Sequence, residues 1–157
     1  MNNSKTKVIV AGATGFIGRN ITQTLVKNSK YSVTGIWNKR PPFKLQNLNW
    51  VQADLTNKKD IESVLPGHDI LIQMASVTSG SKDVIESPHI HIADNAIINS
   101  LLMRASFDLK YKHFVLPSCS IIYNSSEKPH TEKYERNHDG DNDFTAAQLR
   151  THKSDHR

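Results

Sequence analysis

A short β-branched run, Lys7 to Ala11, leads straight into Gly12-Ala13-Thr14-Gly15-Phe16-Ile17-Gly18. A continuous apolar run of this length reads as a strand buried on both faces. Ile17, Ile21, Leu25 and Val26 then recur at helical spacing across Phe16 to Asn28. The chain must therefore turn from strand to helix within one heptad that holds three of its seven glycines. Each glycine has a task at such a turn. Gly12 permits the tight bend, Gly15 lets backbone N–H groups approach a pyrophosphate, and Gly18 packs helix against strand. The helix N-terminus adds unpaired amides and a partial positive charge for phosphates.

The rest of the chain repeats this alternation. Tyr31 to Trp37 reads as a second strand closed by Pro41-Pro42, Trp50-Val51 as a third, Asp69 to Ala75 as a fourth and Lys112 to Leu116 as a fifth. Lys58 to Leu65 and Ile92 to Phe107 read as helices. Strands and helices alternating at this spacing predict an α/β fold with helices on both faces of a parallel sheet. Right-handed crossovers make it a doubly wound (Rossmann) sheet of about five strands in order 3-2-1-4-5, truncated C-terminal to the fifth. Composition shifts after Tyr123, where large apolar residues become sparse. The expected division is a nucleotide-binding domain at 1–126 and a polar tail at 127–157 with one helix at 143–152.

Length and composition exclude other classes. A chain of 157 residues suits one domain, and no run approaches the roughly 18 apolar residues of a membrane span. The N-terminal MNNSKTK lacks the apolar core of a secretory signal. The single cysteine excludes an intramolecular disulfide framework and fits a reducing cytoplasm. The net charge of +5 is scattered rather than striped, which argues against a nucleic-acid footprint. His89 and His91, and the pair His152/His156, have no partnered acidic or cysteine ligand beside them and read as surface histidines, so no metal site is expected.

Cofactor choice is written about 20 residues past the glycines, where a carboxylate would bond a ribose 2′-hydroxyl. That place holds Asn38-Lys39-Arg40. No acid is present and two cations are, so a 2′-phosphate is the better match, and NADP is favoured over NAD. Arg19, just after the last glycine, is expected to add charge to the same phosphate region. Thr14, Phe16 and Ile17 complete the expected loop contacts.

With GATGFIG in place, the chain resembles the extended and atypical short-chain dehydrogenase/reductase superfamily, in pattern its NAD-dependent epimerase/dehydratase-like members, over roughly residues 6–124. Val51-Gln52-Ala53-Asp54-Leu55 resembles the family's G-D-L element. The resemblance implies that Asp54 accepts a bond from the adenine amino group and that Leu55 packs beside the ring. Ile72-Gln73-Met74-Ala75-Ser76 matches the fourth-strand end, where Ala75 leaves space for a cofactor ribose and Ser76 adjoins it. Asn95 matches the helix asparagine that supports the active-site strand, and His113 to Asn124 matches the segment ending in Tyr-Gly.

Departures from that pattern are equally specific. Catalytic members carry Tyr-x-x-x-Lys after the fifth strand, and no such spacing occurs in these 157 residues. The pattern places Phe144 and Gln148 there, a ring with no proton to give and an amide with no charge to perturb a pKa. Cys119 stands four residues before Tyr123, where Ser or Thr is usual, leaving Ser118, Cys119 and Ser120 as the weak catalytic candidates. Full-length members run to about twice this length with a substrate lobe. A fifth strand without a neighbour would be an edge open to pairing, from which a homodimer, or instability, would follow. Three functions fit: a dinucleotide-binding domain without the Tyr-Lys pair, a truncated epimerase, dehydratase or reductase of nucleotide-sugar or carbonyl substrates, or an NAD(P)-sensing regulator.

Overall fold

The computed structural model describes residues 4–78 and 86–118. Eight elements follow in chain order: β1 (Thr6–Ala11), α1 (Phe16–Leu25), β2 (Tyr31–Trp37), β3 (Leu48–Gln52), α2 (Lys58–Val64), β4 (Ile70–Gln73), α3 (Pro88–Asp108) and β5 (His113–Val115). The strands form one parallel sheet in the order β3-β2-β1-β4-β5. The expected doubly wound α/β sheet is therefore the observed one. Val8 is flanked by Val33 of β2 and Ile70 of β4, so the most continuously apolar strand lies at the centre.

Period-two alternation divides the core. Val8 and Val10 face α1 in a cluster with Ala13, Val33 and Leu48, against which Ile21 and Leu25 pack. Ile9 and Ala11 face the other way, joining Ile36, Leu71, Ile61, Leu65, Ile98 and Leu102 beneath α2 and α3. Each fully buried Ile or Leu contributes about 1.5–3 kcal/mol, so both faces are needed to hold a sheet this small. Gly35 within β2 gives the α1 face its shape. A side chain there would meet the Trp50 indole at 2.8 Å and the Ala13 methyl at 2.9 Å.

Element ends differ from expectation for local reasons. α1 stops at Leu25 rather than Asn28, where the amides of Val26 and Lys27 close the last turn onto the Thr22 and Thr24 carbonyls. β3 extends to Leu48–Gln52 because its register against Val33–Trp37 engages residues beyond the expected pair. α3 begins at Pro88, a residue suited to a first helical turn because it needs no N–H acceptor there. β4 ends at Gln73 instead of Ala75, and the Ala75 amide turns to the Gln73 side chain. A compact unit closes at Pro117. The boundary expected at 126 and the helix at 143–152 lie outside the described residues.

Candidate functional site

The C-terminal ends of β1 to β4 converge on the glycine turn. Gly12 has φ +69°, and a Cβ on it would lie 2.6 Å from both Cα and N of Ala75. Gly15 N–H donates back to the Gly12 carbonyl at 2.9 Å, so this amide closes the turn. Gly18 is buried, and a Cβ there would run into the Gly12 peptide, with the carbonyl carbon at 2.9 Å. The first amides of α1, at Phe16 and Ile17, have no acceptor within the helix by its geometry. Their side chains are 84% and 57% exposed at the mouth of the turn. This is a cradle that a side chain would fill, with open N–H groups above it, and it fits an anionic phosphate.

Neighbouring strands carry the remaining expected residues to the same place. Ala13 N–H bonds the Ile36 carbonyl at 3.1 Å, Met74 N–H the Ala11 carbonyl at 3.1 Å, and Ala53 N–H the Trp37 carbonyl at 3.0 Å. Asn38, Lys39 and Arg40 are exposed at the end of β2. Arg40 Nη1 donates to the Thr14 carbonyl at 3.3 Å, which joins the basic tripeptide to the glycine turn across 26 residues. Gln52 Nε2 holds the Asn38 carbonyl at 3.3 Å.

Asp54 is exposed at the end of β3. Its Oδ1 accepts from the Thr56 amide at 2.9 Å and the Thr56 hydroxyl at 2.7 Å. Those bonds, the backbone one foremost, hold its carboxyl below the usual carboxylate range, and the positive charge of Lys39 adds to them. Asp54 is thus an ionised acceptor already locked in one orientation. Leu55, the next residue, is 6% exposed and belongs to the core cluster beneath α2. Arg19 lies against an aromatic ring. Its guanidinium lies 4.3 Å from the centroid of the Phe43 ring, which in turn meets Trp50 edge-on at 5.2 Å.

Past β4, Ala75 is half-buried and Ser76 exposed. Asn95 on α3 accepts from Val77 N–H at 2.8 Å and donates to the Val77 carbonyl at 3.0 Å, tying α3 to the segment that follows β4. Three participants escaped the sequence reading: Gln73, Asn99 and Thr56. Signals existed in the lone amide within the apolar run Asp69 to Ala75 and in the one-turn spacing of Asn95 and Asn99. Ser118 is exposed, whereas Cys119, Ser120, Phe144 and Gln148 lie outside the described residues.

Strand order, glycine turn and helix placement together define a doubly wound, Rossmann-like α/β domain. The NAD dependent epimerase/dehydratase family model matches residues 8–148, and the chain belongs to that family. Among curated relatives it is 27% identical over 134 residues to the uncharacterized UDP-glucose epimerase YtcB of Bacillus subtilis, covering 77% of this chain and 42% of that protein. It is 26% identical over 133 residues to a dTDP-glucose 4,6-dehydratase of Streptomyces niveus, covering 76% and 39%. The chain thus spans about two fifths of the length of these relatives. Among solved structures, a UDP-N-acetylglucosamine 4-epimerase from Methanobrevibacter ruminantium in complex with UDP-N-acetylmuramic acid superposes with TM-score 0.69 at 25% identity, over 82% of this chain and 43% of that one. A UDP-glucose 4-epimerase from Bifidobacterium longum in complex with NAD+ and UDP shares the fold, with TM-score 0.69 at 21% identity over 82% and 42%.

Proposed function

We propose that this chain binds a dinucleotide, NAD(H) or NADP(H), in the crevice between the glycine turn, the 38–40 segment, Asp54 and Ala75. The observation that carries the reading is the cradle at Gly12, left-handed and backed by Ala75 so closely that only glycine fits. Gly12, Gly15 and Gly18 shape the turn, with Thr14, Phe16 and Ile17 around it. The α1 amides meet the pyrophosphate, and Asp54 is set to accept from a base amino group. When bound, a nicotinamide would supply hydride transfer. Arg40, held at Thr14, and Lys39 beside it favour a 2′-phosphate, so NADP(H) is the preferred form, although the Bifidobacterium neighbour was solved with NAD+.

Phe144 and Gln148 standing for the Tyr-Lys pair make binding without the usual catalysis the first reading. Titration of the full chain with NADPH and NADH, followed by fluorescence, tests it. Binding of both in the micromolar range with NADPH tighter is expected, and Arg40→Ala should erase the difference. Failure of both at millimolar concentration would refute it. The nucleotide-sugar chemistry for which its relatives are named supports a second reading, an epimerase or dehydratase to which this chain contributes the nucleotide half. Conversion of UDP-glucose or dTDP-glucose by the chain with NAD+ would favour that second reading and overturn the first. Regulation by NAD(P) occupancy, a cytoplasmic location and homodimerisation along β5 complete the proposal, the last tested by light scattering.

A further inference from the structure

Gln73 ends β4 with its side chain 1% exposed, at the point where the chain leaves the sheet. Its Oε1 accepts from Ala75 N–H at 3.0 Å, while Nε2 donates to the Ala75 carbonyl at 2.8 Å and to Asn99 Oδ1 at 3.0 Å. Two residues on, Asn95 takes both backbone groups of Val77 in the same manner. In extended chain, the N–H and C=O of alternate residues point to the same side. A neighbouring strand would ordinarily bond them. Here two side-chain amides do so, and Asn95 and Asn99 come from one face of α3, a turn apart.

The consequence reaches the glycine turn. Ala75 is the residue whose Cα and N crowd Gly12, so whatever places Ala75 also sets that wall of the crevice. We propose that Gln73, oriented by Asn99, is a positioning residue for the dinucleotide: it holds the Ala75 backbone at the distance from Gly12 that the pyrophosphate and adjoining ribose require. This rests on the dinucleotide reading above. An apolar residue at 73 strips Ala75 N–H, the Ala75 carbonyl and Asn99 Oδ1 of these partners within a part-buried region, which favours a displaced segment.

The test measures NADH affinity and melting temperature for the full chain, Gln73→Leu, Asn99→Leu and Asn99→Asp. Gln73→Leu should weaken NADH about tenfold or more, and Asn99→Leu about three- to tenfold. Asn99→Asp should stay within about twofold, because a carboxylate keeps the acceptor that Gln73 Nε2 uses. That order is the reverse of what packing alone would give, since leucine suits a part-apolar interior better than an ionised aspartate. A folded Gln73→Leu variant within twofold of the parent overturns the proposal, as does Asn99→Asp binding as weakly as Asn99→Leu. If Gln73→Leu does not fold, the Asn99 pair decides alone. A parent chain that binds neither NADH nor NADPH removes the dinucleotide reading itself, whereas a binding parent with unaffected variants removes only the positioning role.

Discussion

Replacing Gly12 by alanine adds one carbon atom where the structure has no room for it. The new Cβ would lie 2.6 Å from Ala75 Cα and N and 2.7 Å from the Met74 carbonyl carbon. All three are backbone atoms, so no side-chain rotation relieves the contact. Left-handed backbone at φ +69° adds about 1–2 kcal/mol for any residue with a Cβ. Overpacking against rigid neighbours adds about 1–3 kcal/mol. Reduced freedom of the unfolded chain offsets about 0.4–1 kcal/mol of the sum. Gly67 provides the control, since its φ is +82° and nothing among the described residues lies within 4 Å of a Cβ there. Gly67→Ala carries the same backbone strain and the same unfolded-state term without the collision. The difference between the two variants should therefore be the packing cost alone, about 1–3 kcal/mol. In a chain of this size that separates their melting temperatures by about 3–10 °C. Thermal and urea unfolding followed by far-UV circular dichroism, on the full chain under reversible conditions, measures it. Gly12→Ala melting within 1 °C of Gly67→Ala would show that the Ala75 wall is not rigid, and would refute the reasoning for both the cradle and its positioning by Gln73.

Two further outcomes follow from titrating groups far from the crevice. The Lys112 ammonium, 2.8 Å from Asp69, and the Lys7 amide hold the Asp69 carboxyl below its usual range. A lowered folded pKa stabilises above the unfolded value of about 3.9 and is lost as pH falls through the folded one. Asp69→Asn should therefore be less stable at pH 7 yet flatter between pH 5 and 3 in urea midpoints, and parallel curves for the two proteins would contradict this. Burial, aided by the charge of Asp69, pushes the Tyr111 phenol up, and its hydroxyl donates to the Leu65 carbonyl, which also meets His68 Nδ1 at 3.0 Å. A raised folded pKa gives stability that is present below the unfolded value of about 10 and is lost as pH rises beyond it. Tyr111→Phe should cost about 1 kcal/mol at pH 7 and remove part of the alkaline fall, and an unchanged variant at both pH values would count against the bond.

What was legible in the sequence was written in short-range patterns. Val8 to Val10 announces a strand buried on both faces because β-branched side chains must pack on each side, and the two core clusters show them doing so. The glycine heptad announces its turn because few other residues could occupy it. Strand order then follows from handed crossovers, which constrain any sequence alike. The basic tripeptide stands at the end of β2, where parallel topology brings it near the turn and Arg40 is bonded to Thr14.

The unread part consists of polar side chains whose partners are distant in sequence. Gln73 stands as the one amide in an apolar run, and it is buried and bonded to a partner 26 residues away. Periodicity puts Asn95 and Asn99 on one face of α3 but does not name their partners, because an amide on α3 is equally at home facing solvent. Arg19 illustrates the same point in reverse. Beside the last glycine its charge suggests a phosphate, but Phe43 offers a ring at 4.3 Å and takes the guanidinium. Charge near a site is thus a weaker guide than shape. Glycine is diagnostic because the alternatives collide, while arginine, glutamine and asparagine are adaptable enough to be claimed by whichever partner the fold brings within reach. The crevice is accordingly legible where backbone geometry dictates it, at Gly12 and Gly18, and opaque where Gln73 and Asn99 hold the Ala75 wall.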